Sequence, residues 1–199
     1  MTAKNHFPSI TRKSSFYCCL LMLALAQFCR ADVVLHWSFD DSKDMTFHYG
    51  KRMRRFTTEE GITGTKCRIV GLAKYVPGVA GSAMKFDGFS SYVEGSPFRA
   101  RGEDEFEMPR EISIEAWIAM GAYPWNWAPI LTVGKYKITG FYFGVDSHGR
   151  LGFHMSDATS VWHQCNSKWD EKTKLGMDLG KWYHVVATYS PRKGSSVYI

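Results

Sequence analysis

Apolar and polar residues alternate with a period of two in several short stretches separated by turn residues. The clearest is 112–119, where Ile112, Ile114, Ala116 and Ile118 face one way and Ser113, Glu115, Trp117 and Ala119 the other. Successive side chains on a strand point to opposite faces, so this stretch predicts a strand with one face against a core. Residues 33–39 alternate Val33, Leu35, Trp37 and Phe39 against Val34, His36 and Ser38. Residues 181–189 alternate Trp182, His184, Val186 and Thr188 against Tyr183, Val185, Ala187 and Tyr189. Further short strands are predicted at 67–71, 83–86, 92–94, 130–133, 141–146, 150–155, 162–165 and 195–199. Pro77-Gly78, Gly81 and Asp87-Gly88 mark turns, and Ser147-His148-Gly149 is a hairpin signal. No stretch carries sustained helical periodicity with caps. Many short strands and no helices predict an all-β sandwich or barrel.

Two stretches interrupt the pattern. Residues 40–66 are polar and charged, with Gly50, Gly61 and Gly64, and read as an extended loop or insertion. Gly121 and Pro124 end the alternation after 119, and Tyr123, Trp125 and Trp127 then fall within five residues. One strand therefore runs directly into an aromatic-rich loop. Rigid rings beside hydrogen-bonding groups suit stacking on flat sugar faces. Tyr123, Trp125, Asn126 and Trp127 have those features, and Trp162, His163 and Gln164 offer a second edge. The competing reading is that these rings fold back over the end of the sandwich, since Trp is highly buried on average.

The N-terminus is of a different kind. Lys4, Arg12 and Lys13 precede the thirteen-residue apolar run 16–28, and Cys29-Arg30-Ala31 follows. That order is a secretory signal peptide, 1–31, with cleavage expected after Ala31 and the folded domain at 32–199. The apolar run is short for a membrane span, so no stable span is expected after cleavage. The protein is expected to be secreted, periplasmic or on the cell surface.

Export changes the charge and cysteine arguments. The chain carries 25 Lys and Arg against 19 Asp and Glu; four basic residues leave with the signal, which makes the balance 21 against 19. A nucleic-acid-binding domain keeps a strong basic bias, so no nucleic-acid partner is expected. The run Lys51-Arg52-Met53-Arg54-Arg55 is a solvated loop or a contact for an acidic glycan or phosphate. Three of the five cysteines lie in the signal, which leaves Cys67 and Cys165. In an exported chain two cysteines can form one disulfide, although spacing alone does not bring them together.

The segments LHWSFDD (35–41), VPGVAGSAMKFDGFSSYVE (76–94), EISIEAWIAM (111–120), GFYFGVDSHGRLGFHM (140–155) and LGKWYHVVATYSPRKGSSVYI (179–199) occur in this order. Together they resemble the laminin-G-like, concanavalin A-like lectin/glucanase jelly-roll family over essentially the whole chain after the signal. The resemblance implies an antiparallel two-sheet β-sandwich, typically a binding module on secreted or surface proteins. In bacteria such modules are often attached to glycoside hydrolases, and Tyr-Pro-Trp-Asn-Trp is similar to modules preceding propeller-type glycosidase domains of the invertase class. Family members usually continue past the equivalent of Val197-Tyr198-Ile199 with further strands and a closing acidic segment. The sandwich is therefore expected to lack its final strands. Relatives often carry one structural calcium near the sandwich edge, held by hard oxygen ligands. Asp40, Asp41 and Asp87 match such positions, but the closing acidic segment that commonly completes the site is absent, so Asp40 and Asp41 are read as turn residues before ligands.

Glu115 shares a face with Trp117, and His154, Trp182 and His184 alternate similarly on other strands. On one common sheet they would form a polar, aromatic groove. Glycoside hydrolysis needs two carboxylates, about 5–5.5 Å apart for retention and about 6.5–9.5 Å for inversion. Glu115 is the one carboxylate well placed on a strand, and no G-x-S-x-G motif is present. The expected function is an exported, non-catalytic carbohydrate-binding module, part of a larger glycan-active protein such as a glycoside hydrolase. The alternatives are a protein-interaction or spacer domain of a cell-surface protein, and a catalytic jelly roll built on Glu115.

Overall fold

The computed structural model describes residues 33, 35–40, 56–59, 61–62, 64–95, 110–135, 137–156, 159 and 161–199. Among them are twelve strands and no helix: β1 (Phe56–Glu59), β2 (Lys66–Val70), β3 (Lys74–Pro77), β4 (Ser82–Lys85), β5 (Tyr92–Glu94), β6 (Ile112–Ala119), β7 (Ala128–Lys135), β8 (Thr139–Val145), β9 (Leu151–Ser156), β10 (Trp162–Asn166), β11 (Trp182–Ser190) and β12 (Gly194–Tyr198). Every pairing is antiparallel. The strand orders are β10-β9-β8-β7, β12-β11-β6, β1-β2-β5 and β3-β4. The all-β antiparallel architecture is the one expected. No helix among the described residues is long and apolar enough to cross a membrane.

The two-residue period decides what becomes core. In β6 the apolar phase is half-buried throughout and the polar phase is exposed throughout. Its ladder with β11 pairs Ala116 with Val185 and Ile114 with Ala187, so both strands bury the same face. Phe141, Phe143 and Val145 of β8 and Leu151, Phe153 and Met155 of β9 are buried, and the apolar phases of β6, β11 and β12 pack against them. The four-stranded and the β12-β11-β6 sheets thus enclose one core. Phe143 and Phe153 are cross-strand partners with ring centroids 6.4 Å apart, edge to face. Burying each such ring is worth about 1.5–3 kcal/mol in transfer terms. A smaller cluster of Ile69, Ala73 and Met84, with Phe39, Tyr75 and Val93 against it, belongs to the short N-terminal strands.

The β8–β9 hairpin is fixed by its own turn. Asp146, buried, accepts the backbone N–H groups of His148 and Arg150 on Oδ1, both at 2.9 Å, and the Arg150 Nε–H on Oδ2 at 2.6 Å. Burial alone would raise the Asp146 pKa; these hydrogen bonds and the guanidinium charge outweigh it and hold the carboxyl below its ordinary range. On the other side of β8, a bulge between Pro129 and Leu131 bends the edge strand β7 where it leaves Trp127. Proline is tolerated there because an edge strand has one unpaired side.

Several expectations are corrected. Residues 35–40 form no strand, although Leu35, Trp37 and Phe39 are half-buried in alternation. Phe39 sits at φ 56°, outside the extended region, and the His36 carbonyl is taken by the Gly61 N–H. Within the polar stretch 40–66, β1 pairs with β2, so part of that stretch is sheet. The β3 strand escapes the sequence pattern because KYVP neither alternates nor lacks proline; it pairs with β4. The candidate pair Cys67 and Cys165 is not bridged in this structure, where both are free. Cys67 lies on β2, whose ladders run to β1 and β5, whereas Cys165 pairs with Phe153 of β9. Residues 1–31, Asp41 and the basic run 51–55 lie outside the described residues.

Candidate functional site

The phase of β8 and β9 that does not enter the core carries Tyr142, Gly144, Gly152 and His154. In the ladder Tyr142 lies opposite His154 and Gly144 opposite Gly152. Two facing glycines cut a notch in the outer surface of the four-stranded sheet. The notch is occupied by rings. A Cβ on Gly152 would lie 2.6 Å from Trp127 Cζ3, 2.7 Å from Trp127 Cη2 and 2.7 Å from Asn166 Oδ1. A Cβ on Gly144 would lie 2.6 Å from Cε1 and 2.7 Å from the hydroxyl of Tyr142. Glycine inside a strand permits this close approach.

The rings meet at steep angles. Trp127 stands at 88° to Tyr142 with centroids 5.9 Å apart, and at 70° to His154 at 4.6 Å. Trp162 stands edge-on to His154 at 6.2 Å. Asn126, Trp127, Tyr142 and His154 line a pocket of about 260 Å³. His154 is buried, and its Nε2 lies 2.8 Å from Asn166 Oδ1, an acceptor, so Nε2 carries the proton. Burial pushes the His154 pKa down, more than the Asn166 hydrogen bond raises it. The imidazole is therefore neutral at neutral pH, and Nδ1 is an acceptor. The pocket offers aromatic faces with uncharged donors and acceptors between them.

Of the residues nominated from the sequence, Asn126, Trp127 and Trp162 come together here. Gln164 and Asn166 share their face, because Gln164 pairs with His154 and Asn166 with Gly152. His163 does not: it pairs with Met155 and takes the opposite phase. Tyr123 turns away as well. Its hydroxyl donates to the Met177 carbonyl at 3.1 Å, and its ring covers Gly149, so it closes the end of the hairpin. Trp125 is 83 % exposed and lines no part of the pocket. Tyr142, Asn166 and the two glycines were missed by the sequence pattern. A signal did exist: in GFYFGVDSHGRLGFHM, Gly144 and Gly152 both fall on the phase opposite the buried Phe residues.

Glu115, Trp117, Trp182 and His184 share a face, but His154 is not on it. They occupy the outer face of the β12-β11-β6 sheet, whereas His154 belongs to the other sheet. His184 stacks on Trp117 with centroids 5.0 Å apart and 28° between planes, and its Nε2 lies 3.3 Å from Glu115 Oε2. The other outward strand positions, Ser113, Ala119, Val186, Thr188, Ser190, Gly194, Ser196 and Tyr198, add no second carboxylate. A hydrolytic pair is not assembled on these strands.

The calcium candidates are engaged locally. Asp40 Oδ1 accepts the Ser82 N–H at 2.8 Å. Asp87 Oδ1 accepts the N–H groups of Phe89, Ser90 and Ser91, each at 2.9 Å, and the two serine hydroxyls bond the same carboxylate. Those bonds, led by the Ser90 hydroxyl and the Phe89 N–H, hold the Asp87 pKa far below the usual carboxylate range. Among the described residues no three His, Cys, Asp or Glu side chains converge on a common point.

A laminin-G family model, described as the concanavalin A-like lectin/glucanases superfamily, matches residues 90–199. No curated protein and no solved structure matches the chain. The matched span is more than half of the chain and holds both sheets of the sandwich and every residue that lines the pocket. The chain belongs to the concanavalin A-like lectin/glucanases superfamily.

Proposed function

We propose that this protein is an exported, non-catalytic carbohydrate-recognition module, and that it serves as part of a larger glycan-active protein. The observation that carries the reading is the aromatic pocket set over the Gly144–Gly152 notch. Sugars present apolar C–H faces and a ring of hydroxyls, and such ligands need exposed π-faces with a few fixed polar groups. Trp127 and Tyr142 supply the faces. Asn126 and the neutral imidazole of His154 supply donors and acceptors. Among the described residues no carboxylate lines the pocket, which supports recognition over hydrolysis. Export rests on the signal-like order of 1–31.

Affinity electrophoresis through gels containing neutral polysaccharides tests the reading, together with a glycan array. Retardation by at least one polymer is expected, and Trp127→Ala is expected to abolish it. Folded wild-type protein that no polymer retards and no arrayed glycan captures would overturn it.

A protein-interaction role is the second reading. It is favoured by the outer face of the β12-β11-β6 sheet, where Trp117 is 54 %, Trp182 39 % and Tyr198 56 % exposed. Trp117→Ala separates the two, since glycan retardation should survive it.

A further inference from the structure

We infer that the pocket takes one uncharged pyranose at the end of a glycan, and neither a length of chain nor an acidic sugar. This rests on the carbohydrate-binding reading and adds the class of ligand.

The angles come first. A chain lying along a surface is held by rings whose faces are roughly coplanar and spaced along it. Here Trp127 meets Tyr142 at 88° and His154 at 70°, with centroids 5.9 and 4.6 Å away. Rings at right angles form a corner, which receives a single sugar ring by one face and one edge. Size agrees with shape. The pocket holds about 260 Å³, below the roughly 300–1,000 Å³ of sites that enclose drug-sized ligands. One pyranose fits that space, and the next residue of a chain must lie outside it.

Charge selects within that class. Among the described residues Asn126, Trp127, Tyr142 and His154 line the pocket, and Asn166 bonds His154; none carries a formal charge while the imidazole is neutral. A uronate or sulfate entering here would lose hydration without meeting a counter-charge, and an uncompensated buried charge is costly. Hydroxyls lose less, because the amide of Asn126 and the neutral imidazole of His154 replace water as partners. The depressed basicity of His154 works in the same direction, since it keeps a cation out of the floor.

The test is a calorimetric titration of the full chain with glucose, galactose, mannose and N-acetylglucosamine, with short and long neutral oligomers of each, and with glucuronic and galacturonic acids. For the sugar that binds, molar affinity is expected to change less than about threefold from monomer to long oligomer. The matching uronic acid is expected to bind at least tenfold more weakly. Asn126→Ala, an exposed position whose replacement leaves the fold intact, is expected to weaken the neutral sugar at least fivefold. Affinity that climbs tenfold or more with chain length overturns the single-residue assignment. Equal binding of neutral and acidic sugars overturns the charge selection. In both those cases sugar still binds and the carbohydrate reading stands, whereas absence of binding to every sugar and oligomer removes that reading too.

Discussion

Replacing Gly152 by alanine tests the pocket with a single methyl group. The new Cβ would lie 2.6 Å from Trp127 Cζ3, where ordinary contact begins near 3.4 Å, so the indole must retreat by the difference, about 0.8 Å. The same Cβ would lie 2.7 Å from Asn166 Oδ1, which is held by His154, so a second neighbour must give as well. Overpacking of this kind costs about 1–3 kcal/mol. At about 2–4 °C per kcal/mol for a domain of this size, Tm should fall by roughly 2–12 °C. If the cost falls on the sugar-binding geometry, affinity should fall by roughly 5- to 150-fold. Differential scanning fluorimetry reads the first quantity and calorimetric sugar titration the second. Gly121→Ala is the control: nothing lies within 4 Å of its added Cβ, and both readouts should match wild type. Wild-type Tm together with wild-type affinity in Gly152→Ala would refute the seating of Trp127. A lowered Tm with unchanged affinity would keep the seat and move the sugar elsewhere.

Tyr123→Phe removes the hydrogen bond to the Met177 carbonyl and should cost about 0.5–1.5 kcal/mol by urea unfolding, with sugar affinity unchanged; a loss of affinity would return Tyr123 to the site. Phe153→Ala empties a fully buried position beside Phe141 and Phe143 and should cost about 3–5 kcal/mol; a loss below about 1 kcal/mol would contradict its place in the core. His154 has a folded-state pKa below its ordinary 6.5. Above that pH both states are neutral and stability is unaffected; below it the unfolded chain takes the proton first, so stability falls until the folded imidazole also titrates. Urea midpoints should drop between about pH 7 and about pH 5, and less so in His154→Gln; equal slopes would refute the assignment.

What was legible in the sequence was the inside–outside phase. Ile112, Ile114, Ala116 and Ile118, and Val185 and Ala187, carried straight into the core, because a strand with one wet face must alternate. The phase says nothing about which strands are neighbours. Glu115 and His184 were grouped with His154 on that basis, and the ladders separate them into different sheets. The pocket has the same origin in register. Trp127 and Trp162 stand out as rare aromatics, but Tyr142, His154 and Asn166 join them only through the pairings of Tyr142 with His154 and of Gly152 with Asn166. Residues 35–39 alternate convincingly and still make no strand, since a positive φ at Phe39 and the bond from the Gly61 N–H to the His36 carbonyl are outcomes the phase does not encode. Spacing could not decide the cysteine pair for the same reason: two thiols meet only if their strands do, and Cys67 and Cys165 lie on strands of different sheets.

The hairpin of β8 and β9 keeps two ledgers on one backbone. Phe141, Phe143, Leu151, Phe153 and Met155 hold the sandwich together on one side, while Tyr142, Gly144, Gly152 and His154 shape the pocket on the other. No side chain serves both. The ligand preference of such a surface can drift over generations by changes at alternate positions, with each substitution tried against an unaltered interior. The two glycines are the exception: a methyl group at Gly144 would meet the Ala128 carbonyl of β7 at 2.4 Å and one at Gly152 would meet Trp127, so there the cleft cannot change without disturbing its neighbours.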